Sequence, residues 1–143
     1  MSEKSTITEL NFIDGYKFLV KSDVDYIPDF YVDEAKPEGE GSGPNPPRLL
    51  ATAVGHCLSS SLIYCLKKAR IPITKLQTTV KTNPYRNEKG YLRIQSIEIT
   101  INLQINEEDK NRISHCLTLF EDYCTVTQSI RKGIEVMARI DSS

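Results

Sequence analysis

The stretch from Arg48 to Arg70 constrains this chain more than any other. It contains no proline, and Gly55 is its only glycine. Leu50, Val54, Cys57, Leu58, Ser61, Leu62, Cys65 and Leu66 recur at three- and four-residue spacing, the period of a helix face. Ala51, Ala53 and Ile63 add apolar character on the other faces, and charges are few until Lys67-Lys68. A helix that is apolar on most sides is buried on most sides. In a chain of 143 residues it is expected to be central, with the rest of the fold and a second copy of the chain packed around it. Asn45 is placed to cap it, proline is tolerated in its first turn, and Arg70-Ile71-Pro72 ends it.

The segments on either side read as strands and short helices. Thr6–Phe12 and Tyr16–Lys21 alternate loosely around an Asp14-Gly15 turn, and Asp29–Val32 is a further short strand. Glycine and proline dominate Lys36 to Pro47, which must be a loop. Beyond the helix, Thr74–Lys81 and Tyr91–Ile105 predict strands, with near-strict alternation from Ile97 onward and a turn over Asn83 to Gly90. Glu107–Tyr123 predicts an amphipathic helix with Ile113, Cys116, Leu117, Leu119 and Phe120 inward. Thr125–Lys132 predicts a short helix broken by Gly133, and Ile134–Ile140 a final strand. The expectation is one domain over residues 1–143.

Eighteen basic and 19 acidic residues leave a net charge of -1, which gives no reason to expect nucleic acid or an anionic membrane as partner. The opening MSEKSTITEL is polar and lacks an apolar core, and His56 and Ser59–Ser61 interrupt the longest apolar run. A cytoplasmic location is therefore expected. In that compartment four cysteines are not expected to form a disulfide framework; they are buried small hydrophobes, metal ligands or redox thiols. His56 and His115 each precede a cysteine, which raises zinc. There is no Cys-x-x-Cys, however, and adjacent helical residues point about 100° apart, so no metal is expected. Cys65 lies eight residues after Cys57, about 12 Å along a helix, too far for a disulfide between those two. Cys65 and Cys116 are expected to be structural.

Two segments carry a resemblance. Pro44-Asn45-Pro46-Pro47-Arg48-Leu49-Leu50-Ala51-Thr52-Ala53-Val54-Gly55-His56-Cys57 leads a Gly/Pro-rich loop into a long cysteine-bearing helix. Cys124-Thr125-Val126-Thr127-Gln128-Ser129-Ile130-Arg131-Lys132-Gly133-Ile134-Glu135-Val136 places a second cysteine at a short helix, 67 residues on (124 − 57). Together, in this order and at this distance, they resemble the OsmC/Ohr family of osmotically inducible and organic hydroperoxide resistance proteins, over nearly the whole chain. The resemblance implies an α+β fold with antiparallel sheets wrapped around a long central apolar helix, in an intertwined homodimer with its sites at the interface. It also implies thiol-dependent peroxidase activity on organic hydroperoxides. Cys57 would attack, Cys124 would resolve as a disulfide, and a lipoyl- or thioredoxin-like dithiol would reset the pair. Such an antioxidant cycle needs no metal and no organic cofactor.

The chain departs from that family in one respect. Family peroxidases carry a glutamate nine or ten residues before the first cysteine, where this chain has Arg48 and Pro47. The family's early-strand arginine is also missing; Lys17 and Lys21 occupy that region. Arg48 itself is a candidate for stabilising the Cys57 thiolate, since a nearby cation lowers a thiol pKa. The other reading is that activation is altered. The same pocket would then hold a small apolar or thiol-bearing ligand, with weak turnover or none.

Overall fold

Pro46 opens the long helix and Asn45 caps it, its Oδ1 accepting the Arg48 N–H at 3.2 Å. This helix, α1 (Pro46–Lys68), ends in a left-handed residue that is not glycine: Arg70 has φ 59°. There the Ile71 N–H reaches back to Leu66 O at 2.9 Å and the Arg70 N–H to Lys67 O at 3.0 Å, while Ile71 and Leu66 pack together in the core. Arg112 completes the cap by donating to Ala69 O and Arg70 O at 3.2 and 3.5 Å, with its guanidinium held on Asp109 at 2.8 Å.

The computed structural model describes residues 4–142. Before α1 come β1 (Thr8–Asp14), β2 (Lys17–Ser22) and β3 (Phe30–Val32); after it come β4 (Ile73–Arg86), β5 (Leu92–Ile105), α2 (Ser114–Leu119) and α3 (Thr125–Lys132). The fold is α+β with antiparallel sheets, as the resemblance implies. The described chain forms two compact units, one ending at Leu50 and one starting at Ala51.

In the first unit β1, β2 and β3 form an antiparallel sheet in that order, with Leu10 opposite Val20 and Val20 opposite Phe30. Asp33 then organises the Gly/Pro-rich loop. Its carboxylate accepts the Ser42 hydroxyl at 2.7 Å and the N–H groups of Glu34, Ser42 and Glu40 at 2.8, 3.1 and 3.3 Å. These bonds, led by the Ser42 hydroxyl, hold the Asp33 carboxyl below its usual pKa. A Cβ at position 43 would run into the Tyr31 carbonyl, so the loop needs Gly43.

In the second unit β4 and β5 form one long hairpin, with Thr78 opposite Ile101, Val80 opposite Ile99 and Thr82 opposite Ile97. Its pairing slips at Asn83/Pro84, where proline has no N–H to give a ladder. Helix α1 approaches β4 closely at Gly55, where a Cβ would lie 2.6 Å from Val80 Cγ2. One turn on, Ser59 Oγ donates to Gly55 O at 2.7 Å and bonds the Thr78 hydroxyl at 2.5 Å. The core gathers Leu62, Cys65, Leu66, Ile71 and Cys116, flanked by Ile101, Leu103, Ile113 and Phe120. Complete burial of Leu62 and Leu66 contributes about 2–3 kcal/mol each.

Several observations differ from the expectations. Residues 107–123 are not one helix: a 3₁₀ turn (Glu107–Arg112), α2 and a second 3₁₀ turn (Phe120–Tyr123) follow one another. The first turn is tighter because it delivers Asp109 and Arg112 to the end of α1. Leu117 is half exposed rather than inward. Residues 134–140 form no strand; α3 stops at Gly133 (φ 77°), and Ile134, Val136 and Ile140 stand exposed with no strand among the described residues paired to them.

Cys65 and Cys116 are buried as predicted, but they are also joined in a disulfide, with Cα atoms 5.6 Å apart. By limiting the unfolded chain, a bond across 51 residues contributes about 4 kcal/mol.

Candidate redox site

Cys57 lies midway along α1, half-buried, on the turn before Ser61, whose hydroxyl donates to the Cys57 carbonyl at 3.0 Å. Cys124 is fully buried and is the N-cap of α3, with extended backbone (φ -82°, ψ 100°). The sequence Cys124-Thr125-Val126-Thr127 accounts for this local structure. The Cys124 sulfur takes the place of a capping oxygen: it accepts the Thr127 N–H at 3.4 Å and donates its own hydrogen to Thr127 Oγ1 at 3.0 Å.

This arrangement brings the two cysteines of the sequence motifs together. The Cys57 thiol is in hydrogen-bond contact with the Cys124 thiol and with the backbone N–H groups of Val126 and Thr125. Burial pushes the Cys57 pKa up; the hydrogen bond its neutral thiol gives to Cys124 and repulsion by the Cys124 charge add to the rise. The Val126 and Thr125 N–H groups act the other way. These N–H groups belong to the first turn of α3, where unpaired donors and the helix dipole favour negative charge. The attacking chemistry open to the pair is unequal, because only Cys57 offers surface to solvent.

Leu58, next to Cys57, begins the wall of a cavity of about 450 Å³. Leu62, Ile97, Ile99, Ile101, Leu103, Leu117 and Phe120 complete its apolar lining, and Glu121 and Arg131, paired at 2.7 Å, supply its polar edge. The exposure of Leu117 follows from its place in this wall.

Arg48 is exposed in the first turn of α1, where its guanidinium donates to Asn45 Oδ1 at 3.4 Å. Lys17 lies over the Tyr31 ring at 4.2 Å, and His56 and His115 are exposed. Sequence reasoning missed Thr127 and the Thr125 and Val126 amides. The signal was available in Cys-Thr-x-Thr before a short helix, which reads as a cap if sulfur is allowed as the acceptor.

The family model described as OsmC-like protein matches residues 39–139. Solved structures with the same fold include an OsmC-like protein from Mycoplasma pneumoniae (TM-score 0.75, 14% identity, covering 91% of this chain and 89% of that one). An OsmC-like protein of unknown function from Vibrio cholerae aligns with TM-score 0.72 and 13% identity over 90% of this chain and 93% of that one. An organic hydroperoxide resistance protein from Elizabethkingia anophelis aligns with TM-score 0.67 and 22% identity over 94% and 93%. No curated protein matches the sequence.

Proposed function

Because the chain belongs to the OsmC-like family, we propose that it is a thiol peroxidase for organic hydroperoxides, with Cys57 as the attacking thiol and Cys124 as the resolving one. The observation that carries this reading is two free thiols in hydrogen-bond contact, one reachable from solvent and one not. Several solved relatives in fold bear the name organic hydroperoxide resistance protein.

In the cycle, the Cys57 thiolate attacks the terminal oxygen of the hydroperoxide. The O–O bond breaks, the alkoxide leaves and takes a proton to become an alcohol, and Cys57 becomes a sulfenic acid. The Cys124 sulfur then displaces hydroxide, which leaves as water, and the Cys57–Cys124 disulfide forms. A lipoyl- or thioredoxin-like dithiol reduces it by exchange and is itself oxidised to a disulfide. In place of the family's glutamate and arginine, the Thr125 and Val126 amides stabilise the thiolate. The chain acts in the cytoplasm as one domain of an intertwined homodimer, without nucleic acid, membrane, metal or organic cofactor.

Treating the reduced protein with one equivalent of cumene hydroperoxide and mapping disulfides by mass spectrometry tests the cycle. A Cys57–Cys124 peptide should form as alcohol is released; substrate consumed without that bond refutes the mechanism. The rise in the Cys57 pKa and the adjacent apolar cavity favour a second reading, a binding protein for a small apolar or thiol-bearing ligand. Brisk turnover that disappears in Cys57→Ser excludes it.

A further inference from the structure

We propose that the Cys65–Cys116 disulfide is a positioning tether for the Cys57–Cys124 couple, and that it stays closed while that couple cycles. The proposal rests on the redox reading above. The tether joins α1, which carries Cys57, to α2, eight residues before Cys124. From α2 the connection continues through Glu121. Its carbonyl accepts the Cys124 N–H at 3.1 Å and the Gln128 side chain at 3.1 Å, and its carboxylate holds Arg131 at 2.7 Å. Gln128 and Arg131 lie on α3, whose first turn faces the Cys57 sulfur. The bond therefore closes a ring running α1, Cys116, Glu121, α3 and back to Cys57. Without it, the wall formed by Leu117, Phe120 and Glu121 is held to α1 by non-covalent contacts only: apolar packing, the Tyr64–Tyr123 ring contact and the Arg112 bonds at the helix end.

The two disulfides differ in access. Cys65 and Cys116 are 7% and 1% exposed, so a reductant's thiolate has no line of attack in the folded protein, whereas Cys57 is open. The tether forms as the chain folds. Two thiols exchange with a small-molecule disulfide: one S–S bond forms, one breaks, and the oxidant leaves as two thiols.

Differential alkylation tests persistence. The folded protein is treated with dihydrolipoamide and then N-ethylmaleimide. An adduct should form at Cys57, with the buried Cys124 modified once the protein is denatured and Cys65 and Cys116 only after denaturation in reductant. Modification of Cys65 or Cys116 in the folded protein overturns persistence. The variant Cys65→Val/Cys116→Ala tests positioning, with diamide as oxidant so that no peroxide turnover is required. Closure of Cys57–Cys124 should slow about tenfold while Cys57 alkylation by iodoacetamide changes by less than about twofold. A lower Tm with unchanged closure would leave the bond as a stabiliser only and overturn the proposal. Cys65→Ala removes the bond with less change to the core and must show the same split if the double variant fails to fold. A wild-type protein that closes with diamide but consumes no hydroperoxide refutes the peroxidase reading and leaves the tether intact.

Discussion

Thr127 engages the Cys124 sulfur through two hydrogen bonds, giving its N–H at 3.4 Å and taking the thiol hydrogen on Oγ1 at 3.0 Å. The side-chain bond fixes the direction of the thiol hydrogen and hence of the lone pairs left for Cys57. Thr127→Val keeps the shape and the N–H but removes the acceptor. It is expected to cost about 1 kcal/mol in chemical denaturation and to slow closure of the Cys57–Cys124 bond. Closure at the wild-type rate would show that the hydroxyl does not aim the sulfur.

Cys124 raises the Cys57 pKa twice, through its hydrogen bond and its charge. Cys124→Ala removes both, leaving burial opposed by the Val126 and Thr125 N–H groups. The rate of Cys57 alkylation should therefore rise at a lower pH than in the wild type. An unchanged pH profile would mean that burial alone sets the reactivity. The same shift predicts how stability responds to pH. A thiol whose folded pKa is raised stabilises the fold fully below the unfolded value, and that contribution is lost as pH climbs through the folded one. Alkaline denaturation should thus begin at lower pH in the wild type than in Cys57→Ala.

Gly55 sets how closely α1 approaches the hairpin. Gly55→Ala places a methyl group 2.6 Å from Val80 Cγ2 and should destabilise by about 1–3 kcal/mol. Adding Val80→Ala should recover part of the loss. Thermal melts of the two variants check this, and no recovery would place the strain elsewhere.

Arg48 and the α3 amides are the two candidates for thiolate stabilisation, and one substitution separates them. With the amides dominant, Arg48→Ala should leave the Cys57 alkylation rate at neutral pH within about twofold of the wild type. A larger fall would assign the stabilising charge to Arg48 instead.

The sequence made the fold legible wherever one periodicity ran long enough to outweigh local noise. The apolar run of α1 and the alternation from Ile97 to Ile105 are such cases, and Asn45, Pro46 and Pro72 mark the limits of α1. It failed where tertiary contacts overrode the pattern. Leu117 has helix-face spacing but lines a cavity, and Arg112 drew its turn towards the end of α1. Ile134 to Ile140 alternates like a strand, yet alternation describes a face and supplies no neighbour to pair with. The Cys57–Cys124 meeting was legible only through resemblance. The Cys65–Cys116 bond was not, because spacing along one helix says nothing about a residue 51 positions away.

The burial of Cys124 beside a partly open Cys57 also bears on how the molecule would wear out. Oxidant arriving from solvent in excess of reductant meets one sulfur and not the other. Conversion to sulfinic and sulfonic acid, which simple thiols do not reverse, should therefore accumulate at a single atom. A preparation losing function under oxidative load should gain mass on the peptide that contains Cys57, while the peptide that contains Cys124 keeps its native mass.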